Sequence, residues 1–113
     1  MPAVTIPYEQ LPAFQQKVAD FVDAHDLRTG AEFRLLDLVS ELGELSKEAL
    51  KATGYGRRPF IPDQSWDDEL ADVFFSLVCL ANSTAVDLEK ALEGALTKYG
   101  QRLERRGDAG SGR

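Results

Sequence analysis

The sequence predicts a small all-α protein, a bundle of four helices joined by short connections and completed by oligomerisation. Three observations carry that prediction. The prolines fall at positions 2, 7, 12, 59 and 62 only, so two long stretches, 13–58 and 63–113, are free of the strongest helix breaker. No run alternates β-branched and polar residues over the several positions that a half-buried strand requires. Apolar residues recur instead at the three-and-four spacing of a helix face.

The first helix is expected from Glu9 or Pro12 to His25, with Phe14, Val18, Phe21 and Val22 as its buried stripe and Asp26 to Gly30 marking its end. The second is expected from Ala31 to Ala52, burying Leu35, Leu38, Val39, Leu42, Leu45 and Ala49, with Gly54 as its stop. At about 1.5 Å per residue it is some 30 Å long. Two glycines, two prolines and two arginines make 54–64, GYGRRPFIPDQ, a loop.

Ser65 is the expected N-cap of the third helix, placing Asp67, Asp68 and Glu69 near the positive end of its dipole. Apolar residues from Leu70 to Ala81 surround most of this helix, which predicts that it is the most buried. Asp87 caps the fourth, whose inward stripe is Leu88, Ala91, Leu92, Ala95, Leu96, Tyr99 and Leu103.

With 113 residues, 43% hydrophobic and 28% charged, the chain fits one domain, expected over residues 1–105, followed by a disordered tail at 106–113. The longest apolar stretch, Val73 to Ala81, is broken by Ser76 and is too short to span a bilayer. The start, MPAVTIPYEQLP, lacks the basic and apolar segments of a secretory signal, so a cytoplasmic location is expected. Cys79 is the sole cysteine and His25 the sole histidine, which excludes an internal disulfide, multi-cysteine zinc sites and most histidine-based metal sites. A net charge of −6 and a pI near 4.7 argue against a nucleic-acid partner, which calls for a basic excess.

The acids are more informative. On an ideal helix Asp37, Glu41, Glu44 and Glu48 fall within a stripe about 60° wide. Taken alone this describes equally well a solvated face, helped by Lys47 and Lys51. The third helix adds Glu69 and Asp72, one turn apart on an otherwise apolar element, with Ser76 extending the strip. Buried or clustered carboxylates need a compensating positive charge. Basic side chains would supply it, and so would a hard divalent cation such as Mg²⁺ or Mn²⁺, which prefers carboxylate oxygens. A carboxylate-bridged di-iron site is excluded, because it takes Glu-x-x-His pairs on two helices.

The strings LVSELGELSKEALK, DDELADVFFSLVCLA and VDLEKALEGALTKYGQRL resemble the MazG-like branch of the all-α nucleoside triphosphate pyrophosphohydrolases, over Leu35 to Leu103. The matching signature is a Glu-x-x-Glu pair, Glu41 and Glu44, and a Glu-x-x-Asp pair, Glu69 and Asp72. The resemblance implies Mg²⁺-dependent hydrolysis of a nucleoside triphosphate to the monophosphate and pyrophosphate. It implies that the four acids hold the cation, Mn²⁺ being an alternative, and that Glu41 or Glu44 orients or deprotonates the attacking water. It also implies a homodimer or homotetramer, which the apolar third helix independently favours. One departure stands out: many relatives carry a further Glu where this chain has Ser40; Glu48, on the same stripe, is a candidate for that role and equally for an ordinary surface residue.

Lys98 and Arg102 match the Lys-aromatic-x-x-Arg string that closes many such domains, which makes them phosphate-binding candidates, although basic residues also suit a helix carboxyl end. Arg57 and Arg58, in the loop between the acidic helices, are candidates for a phosphate clamp or for an ordinary solvated loop. Tyr99 and Trp66 read as packing residues, and Cys79 as a small buried hydrophobe. The competing function is a catalytically silent helical module that binds metal or nucleotide without turnover.

Overall fold

The computed structural model describes residues 6–107. Within them a 3₁₀ turn at Tyr8–Gln10 precedes four helices: α1 (Ala13–Ala24), α2 (Ala31–Ala52), α3 (Gln64–Ser83) and α4 (Leu88–Arg106). No strand occurs among the described residues, so the all-α class and the helix order are as predicted. α2 occupies the expected span. Gly107 ends α4 in the left-handed conformation, at φ 79°, and its N–H donates to the Leu103 carbonyl. Residues 108–113, most of the expected tail, lie outside the described residues.

Two boundaries differ from the sequence reading, each for a local reason. α1 starts after Pro12, because the 3₁₀ turn takes up residues 8–10 and Leu11 is extended. The N-cap of α3 is Asp63, not Ser65: its carboxylate accepts from the Ser65 backbone N–H at 2.9 Å and the Ser65 hydroxyl at 2.6 Å, so Ser65 is already inside the first turn as a donor. Those two hydrogen bonds hold the Asp63 carboxyl below its ordinary value. Asp87 caps α4 as expected, accepting from Lys90 N–H at 3.0 Å.

α3 is the central element. It packs along α2 over an extended seam and along α1 over a shorter one, where Phe14 meets Phe74 at 5.5 Å between ring centroids and Phe21 meets Phe75 edge-on at 6.1 Å. The most buried residues bear out its expected place: Ser76, Val78, Cys79 and Ala81 belong to α3, joined by Leu11, Gln15 and Arg34.

Gln15 is fully buried and ties three elements together. Its Nε2 donates to Asn82 Oδ1 and to the Val86 carbonyl, both at 2.9 Å, while its Oε1 accepts from the Leu88 N–H at 2.8 Å. Asn82 Nδ2 returns a hydrogen bond to the Gln15 carbonyl at 3.2 Å. One amide thus fixes α1 against the end of α3 and satisfies a backbone donor in the first turn of α4.

After that corner α4 turns 101° from α3 and touches the other helices only marginally. Much of its expected inward stripe is therefore uncovered among the described residues: Leu92 and Leu96 are each 58% exposed. α2 likewise leaves Leu35, Val39 and Leu42 exposed. The radius of gyration is 17.3 Å, against about 13 Å for a compact chain of this length. No single helix among the described residues is long and apolar enough to cross a membrane.

Candidate functional site

The long α2–α3 seam brings the two acid pairs toward each other. A seven-residue step is nearly two full turns, so Arg34, Glu41 and Glu48 share one face of α2, and Asp72 and Cys79 one face of α3. Because the two helices run in opposite senses along the seam, Glu41 meets Glu69 and Asp72, while Glu48 and Trp66 line one small cavity and Arg34 and Cys79 a larger one.

Carboxylate oxygens of Glu41, Glu69 and Asp72 all lie within 4.8 Å of one another, Glu41 and Glu69 half-buried and Asp72 exposed. Glu44 is exposed and stands outside this group of three, although its charge reaches Glu69. Glu48 is half-buried, 4.0 Å from the Lys51 ammonium. The Glu69 carboxyl is held above its ordinary value, first by partial burial and then by the charges of Asp72, Glu48, Glu44 and Glu41 in that order. Among the described residues none of Glu41, Glu44, Glu69 and Asp72 is ion-paired with a lysine or arginine.

Such a cluster is electrostatically unfavourable alone. Three convergent hard oxygens without a cationic side chain fit a divalent cation of the Mg²⁺ or Mn²⁺ type. Ser40, at the position of the additional acid, is exposed and supplies no carboxylate.

The basic candidates lie apart. Lys98 Nζ is 5.2 Å from the Tyr99 ring centroid and the Arg102 guanidinium carbon 5.9 Å, so the three side chains form one cation–π group. They sit on the helix that projects from the rest, and neither is among the charges that bear on Glu69. Arg57 is exposed in the α2–α3 loop. Arg58 is occupied otherwise: its Nε donates to the Ala52 carbonyl at 3.2 Å and its terminal nitrogen to the Lys51 carbonyl at 3.3 Å, satisfying the end of α2. Trp66 meets Phe60 edge-on at 4.8 Å beside the acidic seam.

Arg34 escaped the sequence reading. It is 8% exposed, donates to the Leu27 carbonyl and lies 3.9 Å from Asp37. A signal existed, since Arg34 borders the helical face of Asp37, Glu41, Glu44 and Glu48, a base at the amino-terminal end of an acidic stripe.

Against this geometry, the sequence model of the MazG nucleotide pyrophosphohydrolase domain matches residues 30–106. YpjD, an uncharacterized protein of Bacillus subtilis (strain 168), is 41% identical over 68 residues, which are 58% of this chain and 60% of that protein. The match therefore spans less than two thirds of the relative's length. The crystal structure of YpjD from Bacillus subtilis superposes with a TM-score of 0.65 at 29% identity, covering 85% of this chain and 97% of the other.

Proposed function

This chain belongs to the MazG nucleotide pyrophosphohydrolase family, and on that footing we propose that it hydrolyses a nucleoside triphosphate, canonical, deoxy or damaged, to the monophosphate and pyrophosphate, in a house-cleaning or nucleotide-pool role. The observation that carries the reading is the convergence of Glu41, Glu69 and Asp72 from two helices with no lysine or arginine ion-paired to them among the described residues.

Glu41, Glu69 and Asp72, with Glu44 completing the set, are the residues to hold Mg²⁺, or Mn²⁺ in its place. When bound, that cation supplies neutralising charge to the triphosphate and to the departing pyrophosphate. The protein's own part is placement. Glu41 or Glu44 orients the water that attacks the α-phosphorus and takes its proton, Glu44 being the exposed member of the set that stands outside the group of three. The bond from that phosphorus to the α–β bridging oxygen breaks, and pyrophosphate leaves.

Lys98 and Arg102, held together by Tyr99, offer charge-assisted donors to phosphate oxygens. Since α4 stands apart from the acids within one chain, these donors serve the site of a second copy. The uncovered apolar stripes on α2 and α4 support a homodimer or homotetramer in which the copies cover each other. Arg57 remains available as a loop donor, whereas Arg58 must first release the end of α2.

The test is a panel of ribo-, deoxy- and oxidised triphosphates with Mg²⁺ or Mn²⁺, reading pyrophosphate and orthophosphate separately. Pyrophosphate release that drops at least a hundredfold in folded Glu41→Gln and Glu69→Gln is the expected result. Nucleotide binding without turnover would overturn it in favour of a silent module, and orthophosphate as product would overturn the assigned bond cleavage.

A further inference from the structure

We propose that the cavity between α1, the start of α2 and the end of α3 is the nucleobase pocket, and that Arg34 inside it selects 6-oxopurines such as guanine. The choice of ligand rests on the pyrophosphohydrolase reading above. The cavity itself is an independent feature of the fold, and the acid site makes no use of it.

Position is the first argument. Arg34 lies seven residues before Glu41 on α2, and Cys79 lies seven after Asp72 on α3. Each step returns to the same helical face about 10 Å further along the axis. The cavity and the acid cluster therefore open on one seam, separated by the reach of a sugar and its first phosphate. A triphosphate held at the acids with its base on this side of them reaches the cavity.

Size and lining are the second. The cavity measures about 350 Å³, within the range of small-molecule pockets and sufficient for a purine ring. Ala19, Val22 and Ala31 offer small apolar walls for the faces of a flat ring, while Asp23, Arg28, Thr29, Arg34, Asn82 and Ser83 bring polar groups to its lining.

The third argument is the chemistry of Arg34. Its side chain is 10% exposed, one terminal nitrogen donates to the Leu27 carbonyl, and the other faces Asp37 at 3.9 Å, beyond hydrogen-bond range. The remaining N–H groups of the fork have no hydrogen-bond partner among the described residues. Every fully enclosed side-chain nitrogen or oxygen among the described residues does have a partner, so these N–H groups are not sealed in, and Arg34 is one of the residues that line the cavity. Arg28 adds no competing free charge, since it is paired with Asp23 at 2.7 Å. A guanidinium fork matches the adjacent acceptors O6 and N7 of guanine, whereas adenine presents an amino donor in place of O6 and is disfavoured.

Binding without metal tests the pocket separately from catalysis. GMP and AMP are titrated into the ¹⁵N-labelled full chain without divalent cations, and the amides of Ala19, Ala31 and Ser83 are followed. GMP is expected to shift these amides and to bind at least tenfold more tightly than AMP. Arg34→Lys, which keeps a charge and a donor for the Leu27 carbonyl but loses the fork, should bring the two ligands to near parity. Ala19→Leu, which fills the cavity from its wall, should weaken both at least tenfold. Equal binding of GMP and AMP by the wild-type chain, shifts confined to other regions, or an Ala19→Leu variant that binds normally would each overturn the proposal. GMP binding here without hydrolysis of any triphosphate would uphold the pocket and overturn only the activity.

Discussion

Replacing Gln15 by Leu tests the most concentrated polar contact in the fold. The change keeps the approximate volume and removes both the donor and the acceptor from a fully buried position. Three partners lose their hydrogen bonds: Asn82 Oδ1, the Val86 carbonyl and the Leu88 N–H. A buried polar group left without a partner costs about 1–3 kcal/mol. Because these partners are only partly buried, the low end applies to each, for a total of about 3 kcal/mol. At roughly 4 °C per kcal/mol for a chain of this size, the melting temperature should fall by about 12 °C. The assay is thermal unfolding followed by far-ultraviolet circular dichroism, with wild type and variant at one protein concentration, since self-association alters apparent stability. A drop below about 3 °C would show that the amide is not holding the α1–α3–α4 corner, and the reasoning from that corner to the placement of Lys98 and Arg102 would fail with it.

Glu69 yields a pH prediction whose sign follows from its raised folded-state value. Between the unfolded and folded values the native chain binds more protons than the unfolded one, so stability is lost as pH rises and the penalty is complete above the folded value. The metal-free Glu69→Gln variant should therefore melt above wild type at pH 7, by a margin that closes on acidification through the Glu69 titration; a margin independent of pH refutes the electrostatic account. Mg²⁺ should raise the melting temperature of wild type and leave Glu69→Gln unmoved, as differential scanning fluorimetry will record. Asp63→Ala, which removes the α3 cap, should lose more thermal stability than Asp63→Asn, which keeps an acceptor for the Ser65 N–H; equal losses would deny the cap its role. Leu96→Glu places a charge on the uncovered α4 stripe and should reduce the size measured by light scattering after gel filtration, whereas an unchanged mass excludes that stripe from the contact between copies.

Features governed by neighbours in sequence were legible, and those governed by distant partners were not. The span of α2 and the Asp87 cap follow from periodicity and local hydrogen bonding, so both match. Asp63 and Ser65 are each good capping residues two positions apart, and only the geometry of the turn decides between them. The projection of α4 is invisible to periodicity, because an apolar stripe looks the same whether it faces its own chain or another. Gln15 and Arg34 were missed for a related reason: each is a polar residue whose burial depends on acceptors supplied by other elements, such as Asn82 and the Leu27 carbonyl. At the candidate site, helical spacing put Glu41 beside Glu44 and Glu69 beside Asp72 within their own helices. It did not reveal that Glu44 lies outside the group of three, which depends on the rotation of α2 against α3.

Both walls of the acidic seam come from one helical hairpin, joined by residues 53–63, and its alignment is set by side chains interlocking along its length. Changing the length of that connection costs little, since loop closure grows by only about 0.6 kcal/mol per doubling. Inserting a single residue within α2 instead rotates everything beyond it by about 100° and separates the carboxylates. Insertions and deletions should therefore accumulate in the connector, between Arg58 at the end of α2 and the Asp63 cap of α3, and be purged from the rods, so that length varies there while the charge constellation stays constant.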